Sequence, residues 1–405
     1  MRNLIFSFIL FFLICSFSNV VALSDIYSNN VILYNVDEDK VMYEKNADER
    51  AYIASLTKIM TAMVVLDEES NLDKEISLKG VDYDFLREKD LAISSFDRKK
   101  NYTYRDFLYS LVMESSADCG YALANDVSSD FPKLMNDMAK RLGMDDSSFS
   151  NPVGLDEVSN QTTMRDMLIL MRSALDNDSL KNMMSTFRYK VSSGEIIYHT
   201  IYSYIKTYDL DMPYLKGGKT GNNDIPGYAL MSYACKGDSC YILITTNASF
   251  EYGKPKHLMD AKRIYEYYFK NYKYYNVIDK GDELVRLDTK YLNLDKIVIK
   301  SFDDVKIFHN KSFNKKYLSL KYKGIKVVTP KYKKNDFLGD VDIYYKNKLI
   351  KSVPVYLDVS PKVSFLGFFG YYRNLIIAGI CYILIFVFTF VIVRKIRNRK
   401  KPRLF

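Results

Sequence analysis

Histidine is scarce in this chain, and the three that occur, His199, His257 and His309, stand in no recognisable catalytic motif. The sequence also lacks a Gly-x-Ser-x-Gly segment, the sharp turn that exposes a nucleophilic serine in many hydrolases. These absences argue against a hydrolase that activates its nucleophile through histidine. A nucleophile in this chain would need another base.

Charge is missing from two segments near the ends of the 405-residue chain. Residues 1–22 carry only Arg2, followed by an apolar run that ends in small residues, which is typical of a signal peptide. A retained membrane span is the alternative for this segment. Near the other end, residues 375–393 are uncharged and just long enough to cross a bilayer as a transmembrane helix.

Acidic residues are missing from the tail at 394–405, which contains seven lysines and arginines. Positive residues stay on the cytoplasmic side, so the tail is predicted to be cytoplasmic. The protein would then cross the cell membrane once, and the residues before the transmembrane helix would form an ectodomain on the outer face. The tail and Arg2 account for all but one of the net +9 charges, which excludes a basic nucleic-acid-binding surface.

Cysteine is rare. Outside the two apolar segments the chain contains only Cys119, Cys235 and Cys240. Cys235 and Cys240 flank four residues between two strand-like runs, so a four-residue hairpin loop would place them opposite each other. An exported protein could form a disulfide there. Two free, buried thiols fit the sequence equally well.

The pattern of apolar residues predicts an α+β domain at 24–273. Residues 31–44 indicate two strands around a polar turn, and strand-like runs return at 227–235 and 240–247. Between and after these strands, helical periodicity predicts helices at 54–68, 104–113, 118–127, 133–142, 163–175 and 256–272. A sheet built from both ends of the domain, with helices between, follows from this order.

A second domain is predicted at 277–358, where short runs of Val, Ile and Tyr alternate with Lys, Asn, Asp and Gly. No helical period occurs there, which predicts a small all-β domain. Residues 359–374 would link this domain to the transmembrane helix.

The segment "ASLTKIMTAMVVLDEE" places Ser55 and Lys58 at the start of a predicted helix. At this spacing the two side chains share one helix face. A lysine can act as base for a serine when burial and a neighbouring cation lower its pKa. Ser-x-x-Lys also occurs at Ser203/Lys206 and Ser312/Lys315, where we expect only structural roles.

A second lysine follows in "KGGKTGNNDIPGYAL", where Lys219, Thr220 and Gly221 lead into a predicted strand. A lysine and a hydroxyl at a strand edge can hold a carboxylate while the strand pairs with a peptide. Glycine at this point would let the backbone approach a ligand closely. Lys219 could also supply the cation that Lys58 requires.

These two motifs resemble the first and third motifs of the serine-type D-alanyl-D-alanine carboxypeptidases, which are low-molecular-mass penicillin-binding proteins. The segments "VILYNVDEDKVMYEKNADERAYIASLTK", "FSNPVGLDEVSNQTTMRDML" and "NDFLGDVDIYYKNKLIKSVPVYL" are also similar to that family. The resemblance runs from about residue 28 to 358. It implies a β-lactamase/transpeptidase-like fold, an antiparallel sheet flanked by helices.

The resemblance also implies roles for individual residues. Ser55 would be the acylated nucleophile and Lys58 the general base. Lys219 and Thr220, within the Lys-Thr-Gly motif, would bind the terminal carboxylate of the substrate. The backbone N–H groups of Ser55 and Asn222 would form the oxyanion hole. No metal or organic cofactor would be needed.

The middle motif of the family, Ser-x-Asn, falls in "VMESSADCGYALAN". In one register Ser115 relays protons, the asparagine is replaced by Ala117, and Asp118 caps the next helix. A shift of one residue would instead give Ser116-Ala117-Asp118. We favour Ser115 because the following helix then aligns without a gap.

The implied function is removal of the terminal D-alanine from peptidoglycan stem peptides through an acyl-enzyme on Ser55, with β-lactams acylating the same serine. Replacement of the motif asparagine by Ala117 raises an alternative, a scaffold that binds wall peptides with little turnover. A β-lactamase is a third interpretation, against which the β domain and the membrane span argue.

Overall fold

The computed structural model of the chain describes residues 25–155, 157–223, 227–249 and 251–399. One compact unit ends at Asn271 and a second begins at Tyr272. The signal peptide expected at residues 1–22 and the end of the basic tail lie outside the described residues, so both remain predictions.

The first unit is built on a five-stranded antiparallel sheet with the strand order β2-β1-β9-β8-β7. The strands are β1 (Asn30–Asn35), β2 (Lys40–Lys45), β7 (Leu215–Asn223), β8 (Gly227–Lys236) and β9 (Ser239–Ala248). Most of β8 and β9 is buried, which explains why both appear as nearly continuous apolar runs in the sequence. β7 lies at one edge of this sheet, so its outer side can accept another chain.

Seven of the helices in the first unit are α1 (Thr57–Glu68), α2 (Tyr83–Glu88), α3 (Tyr104–Met113), α4 (Ala117–Val127), α5 (Phe131–Leu142), α6 (Met164–Asp176) and α7 (Asp178–Ser185). Two more are α8 (Thr200–Thr207) and α9 (Lys256–Asn271). Polar side chains fix where several begin. The Thr103 hydroxyl accepts a hydrogen bond from the Asp106 N–H at the start of α3, and Thr163 does the same for Asp166 at α6.

Helices pack around α1, whose first nine residues are all buried, including Lys58. α3, α4, α5 and α6 contact it, while α6 also packs against β1 and β9. α9 packs against β8 and β9. The structure therefore confirms the predicted α+β class and the antiparallel sheet flanked by helices.

Short elements complete the first unit. Two small hairpins are formed by β3 (Glu75–Ser77) with β4 (Asn101–Thr103), and by β5 (Arg188–Lys190) with β6 (Ile196–Tyr198). The sequence did not predict these strands or the helices α2, α7 and α8. Elements of three to eight residues contain too few positions for a hydrophobic period to stand out.

Cys235 and Cys240 form a disulfide across the β8–β9 hairpin, with their Cα atoms 4.2 Å apart. The sequence left open a disulfide or two free thiols, and the structure contains the disulfide. The expected four-residue loop is wrong, because β8 runs to Lys236 and β9 begins at Ser239. The turn consists of Gly237 and Asp238, and Gly237 supplies the positive φ of 58°.

The second unit consists mainly of short antiparallel strands. They are β10 (Tyr272–Ile278), β11 (Glu283–Thr289), β12 (Lys296–Lys300), β13 (Val305–Asn310), β14 (Leu318–Gly324), β15 (Val327–Val328), β16 (Phe337–Tyr345) and β17 (Lys348–Tyr356). Side chains from β11, β12, β16 and β17 form its main apolar core. The strands β10, β11 and β12 were not predicted individually from the sequence.

Two helices follow the strands, α10 (Phe365–Tyr371) and α11 (Arg373–Arg399). α11 includes the segment Arg373–Arg397, which is long enough to cross a membrane and contains an 18-residue window with a mean hydropathy of 3.0. It contains the span of residues 375–393 predicted from the sequence.

Candidate active site

Ser55 lies in a 3-10 turn (Ala54–Leu56) that leads directly into α1. Ala54 has a φ of 48°, an uncommon conformation for a residue with a side chain. A Cβ atom on Gly154 would lie 1.9 Å from the Ala54 carbonyl oxygen. Only glycine fits there, so the Asn-Pro-x-Gly-Leu segment is packed tightly against the residue before the serine.

Lys58 lies beside Ser55 as the one-turn spacing predicted. Its Nζ donates a hydrogen bond to Ser55 Oγ at 2.7 Å and another to Ser115 Oγ at 3.3 Å. The Lys58 side chain is buried, whereas Ser55 and Ser115 line an open cleft. An amine in this position can take the proton of either hydroxyl.

Burial lowers the pKa of Lys58 to about 7, and the nearby Asp118 carboxylate opposes this shift. A large fraction of the amine is therefore uncharged at neutral pH. Neutral amines can accept a proton, whereas ammonium groups cannot. The Lys58 side chain thus meets the electrostatic requirement for a general base at this position.

Lys219 is also fully buried, and its Nζ donates a hydrogen bond to the Thr220 carbonyl oxygen at 2.8 Å. Burial holds the pKa of Lys219 well below its usual range, and repulsion from Lys58 lowers it further. Thr220, the residue next to Lys219, lines the same cleft as Ser55. From the sequence we expected the Lys219 cation to help lower the pKa of Lys58. In the structure burial lowers it, and the charge that acts on Lys58 is that of Asp118, which raises it.

The middle motif brings Ser115, and not Ser116, to the Lys58 amine. Ser115 has a φ of 65°, which turns the chain just before α4 begins. The Ser116 hydroxyl instead bonds to Ser110 Oγ at 2.5 Å. The geometry therefore agrees with the register that we favoured.

Ala117, which replaces the asparagine of the motif, is fully buried and packs with Leu86 and Val153. Its N–H donates to the Ala92 carbonyl oxygen at 2.7 Å. Asp118 accepts hydrogen bonds from the Ser94 backbone and hydroxyl at 3.0 and 2.6 Å. Asp118 thus holds a loop against α4 and does not take the place of the missing asparagine. The expected cap is wrong, because the N-cap residue of α4 is Ser116 and no side chain forms a capping hydrogen bond there.

A cleft of about 570 Å³ opens in front of these groups. Ser55, Ser115, Thr220, Gly221 and Asn222 line it together, so the structure brings the predicted residues of all three motifs to one surface. A Cβ on Gly221 would lie 3.1 Å from the Ile53 carbonyl oxygen, so glycine lets β7 approach the serine turn closely.

Other residues of the cleft were missed by sequence reasoning. Thr200 lies with its Oγ1 3.1 Å from Thr220 Oγ1. Glu114, Glu157 and Tyr228 also line the cleft from within the segments that resemble the family, although no role was predicted for them. Lys89, Asp90, Tyr204 and His257 come from segments without a motif. No local pattern could have identified these four, because only the folding of the chain brings them to the serine.

The other two Ser-x-x-Lys matches have structural roles, as expected. Ser203 Oγ donates to the His199 carbonyl oxygen within α8 at 3.1 Å. Ser312 Oγ donates to Asn310 Oδ1 at 2.5 Å in a turn of the second unit. His199 itself caps α8, since its Nδ1 accepts from the Ile201 N–H at 3.2 Å.

Comparison with known proteins identifies the family. The family model described as D-alanyl-D-alanine carboxypeptidase matches residues 18–250, more than half of the chain. This chain belongs to that family. The match includes every residue for which the sequence predicted a catalytic or substrate-binding role, and it confirms the serine carboxypeptidase class inferred from the motifs.

Individual relatives agree with this assignment. D-alanyl-D-alanine carboxypeptidase DacF of Bacillus subtilis is 29% identical over 235 residues, which are 55% of this chain and 58% of that protein. The matched region therefore spans less than two thirds of that relative. Penicillin-binding protein D2 of Listeria monocytogenes, solved in its ampicillin-bound form, is 28% identical with a TM-score of 0.52, covering 60% of this chain and 97% of that one.

A longer structural match extends into the second unit. Penicillin-binding protein 5 of Haemophilus influenzae covers 84% of this chain and 99% of its own, with a TM-score of 0.61 and 19% identity. At this identity the likeness shows the fold alone. It confirms the penicillin-binding-protein fold predicted for this chain.

Proposed function

We propose that this protein is a serine D-alanyl-D-alanine carboxypeptidase that removes the terminal D-alanine of peptidoglycan stem peptides. The observation that carries the proposal is the buried Lys58 amine, 2.7 Å from the Ser55 hydroxyl and with its pKa lowered to about 7. A serine next to an uncharged lysine is an activated nucleophile. Family membership supplies the substrate class.

In the proposed acylation, Ser55 Oγ attacks the carbonyl carbon of the penultimate D-alanine while Lys58 takes the hydroxyl proton. The negative charge that develops on the carbonyl oxygen is stabilised by the N–H groups of Ser55 and Asn222. Such preorganised donors typically contribute about 2.7–4 kcal/mol each. The C–N bond then breaks as Ser115 Oγ–H gives its proton to the leaving nitrogen and takes in exchange the proton that Lys58 had accepted, so that Lys58 is neutral again.

In the proposed deacylation, a water molecule attacks the ester on Ser55, and Lys58 again serves as the base. The shortened stem peptide leaves with a new carboxylate, and Ser55 regains its proton. Lys219 and Thr220 would hold the terminal carboxylate of the incoming substrate. Two observations support this role: Thr220 lines the cleft, and the Thr200 hydroxyl lies next to the Thr220 hydroxyl.

β-Lactams would acylate Ser55 in the same way, because their strained amide takes the place of the scissile bond. The ampicillin-bound form of the Listeria relative supports this expectation. The apolar helix α11 would anchor the protein in the cell membrane. The basic residues that follow it favour an ectodomain on the outer, wall-facing side.

The scaffold alternative is not favoured, because the family match and the assembled serine–lysine pair both fit an enzyme. Ala117 remains a departure from the family motif. The missing asparagine would lower the rate of turnover, whereas the nucleophile and its base would remain in place.

Mass spectrometry of the detergent-solubilised full chain after penicillin treatment tests the proposal. We expect one covalent adduct on Ser55 and release of D-alanine from a pentapeptide. Ser55→Ala should abolish both, while Ser312→Ala, the matched serine of another Ser-x-x-Lys segment, should change neither. Absence of both adduct and D-alanine in the unmodified chain would favour the scaffold, and rapid release of hydrolysed drug would favour a β-lactamase.

A further inference from the structure

His257 is a buried residue of the cleft to which the proposed reaction assigns no role. It lies in the first turn of α9 and is 0% exposed, yet it lines the same cleft as Ser55 and Asn222. Burying a polar ring is costly unless hydrogen bonds compensate. Neither ring nitrogen of His257 has a hydrogen-bond partner in the part of the chain that the structure describes.

Aromatic contacts surround this ring instead. The imidazole stacks on Tyr228 with ring centroids 4.6 Å apart and planes inclined by 20°. Tyr204 meets it edge-on, with centroids 6.0 Å apart and planes at 89°. Burial lowers the pKa of His257 to about 3, so the ring is neutral at physiological pH and packs as an uncharged aromatic plate.

Tyr228 connects this contact to the catalytic groups. It lies opposite Asn222 in the antiparallel pairing of β7 and β8. The pairing of β8 with β9 shifts register between Tyr228 and Leu230, so the ladder is irregular at this end of β8. Side-chain packing therefore matters more for the position of Tyr228 than it does in the regular part of the strand.

We infer that His257 is a positioning residue, which stacks on Tyr228 and thereby holds the end of β7 where the Asn222 N–H faces the reacting carbonyl oxygen. The inference rests on the proposed function, in which Asn222 supplies an oxyanion donor. Displacing the donor reduces the stabilisation of the transition state more than it reduces the binding of the substrate. Loss of the stacking ring should thus lower kcat more than it changes KM.

The test uses the full chain in detergent, with D-alanine release from a pentapeptide measured per active site titrated by fluorescent penicillin. His257→Ala should lower kcat about tenfold with KM within about twofold, because a displaced donor loses part of its 10²–10³-fold effect. His257→Phe keeps an aromatic plate and should retain kcat within about twofold. His309→Ala, the same change at a histidine of the second unit, should leave both constants unchanged.

Several outcomes would overturn the inference. A wild-type kcat in His257→Ala would remove any role for the ring, and an equal loss in His257→Phe would show that the nitrogens matter instead. A rise in KM alone would indicate a substrate contact. If His257→Ala yields no titratable sites, His257→Leu fills the space without an aromatic face and gives the same comparison. An inactive, unlabelled wild-type chain would refute the proposed function and not this inference alone.

Discussion

Two lysines of the first unit, Lys58 and Lys219, and one of the second unit, Lys323, have opposite environments. In the first unit, Lys58 and Lys219 are completely buried, and within the described residues neither amine forms an ion pair with a carboxylate. In the second unit, Lys323 is mostly exposed and pairs with Asp342 at 2.6 Å. Burial lowers the pKa of both buried lysines, whereas the hydrogen bond to Asp342 raises the pKa of Lys323.

This difference separates a lysine that stabilises the fold from the two lysines for which we propose a role in the reaction. The Lys323 ammonium reaches solvent and is paired with Asp342, which also accepts a hydrogen bond from the Ser352 hydroxyl, so a structural role explains it. A buried amine that makes no ion-pair contact destabilises the folded state, so its presence needs another explanation. Strongly shifted pKa values in a cleft are typical of catalytic groups.

The largest expected effect comes from removing the buried base. Lys58→Met should slow acylation of Ser55 by fluorescent penicillin about 10²–10⁴-fold, since no group remains to take the serine proton. The same variant should unfold at a higher temperature. Because folding lowers the pKa of Lys58, the unfolded chain binds its proton more tightly between about pH 7 and 10, which disfavours the folded state at neutral pH.

Lys323→Met is the matched control in the second unit. It should leave the acylation rate unchanged. It should not raise the melting temperature, because it removes the ion-pair partner of the buried Asp342 side chain and frees no buried amine. Acylation of Lys58→Met at the wild-type rate, or a lower melting temperature for that variant, would contradict the comparison between the two lysines.

The effect of pH on the acylation rate should be smaller than the effect of removing Lys58 and larger than the effect of removing the disulfide. The rate should fall as the pH drops below about 7, because Lys58 becomes protonated and can no longer act as a base. Among the described residues, Asp118 and Lys219 are the titratable groups that interact electrostatically with this amine. Asp118 raises the pKa of Lys58, so Asp118→Asn should shift the acidic limb of the profile to lower pH. Asparagine retains an oxygen that can accept a hydrogen bond from Ser94.

Acylation rates measured with fluorescent penicillin from about pH 5 to 9 would check both expectations. A flat profile, or a limb that moves to higher pH in Asp118→Asn, would rule out titration of Lys58 as the cause. The Lys323→Met variant should give the wild-type profile, since its charge lies in the other unit.

The smallest effect is expected at the disulfide, on stability alone. Replacing Cys235 and Cys240 by serine removes a cross-link that closes a very short loop, worth about 2 kcal/mol in the chain-entropy description. The link lies at the turn of the β8–β9 hairpin, whereas Tyr228 and the cleft lie at the opposite end of β8. Denaturant unfolding should register the change, and penicillin acylation should not. A slower acylation would show that the hairpin turn influences the cleft.

Much of the first unit could be predicted because its elements are long and its motifs are local. α3, α4, α5 and α6 begin and end within about two residues of the predicted bounds, since each has a clear apolar face. Ser55 and Lys58 are one turn apart on the chain, so helix geometry alone brings their side chains together.

Prediction was weaker wherever an element was short or a contact was distant. The eight residues of α8 have no distinctive period, yet this helix carries Thr200 and Tyr204 into the cleft. His257 seemed unremarkable in the sequence, because its neighbours Tyr204 and Tyr228 are tens of residues away along the chain. The choice between Ser115 and Ser116 likewise depended on which hydroxyl faces Lys58.

The sequence by itself determined the α+β class, the apolar helix near the end of the chain, and the identity of the serine and the two lysines. Local spacing and hydrophobic period are sufficient for these features, since they depend on residues close together in the chain. Only the tertiary structure decided that the Lys58 amine is buried enough to be a base. Desolvation is produced by all the elements that pack around a side chain, and no stretch of sequence contains that information.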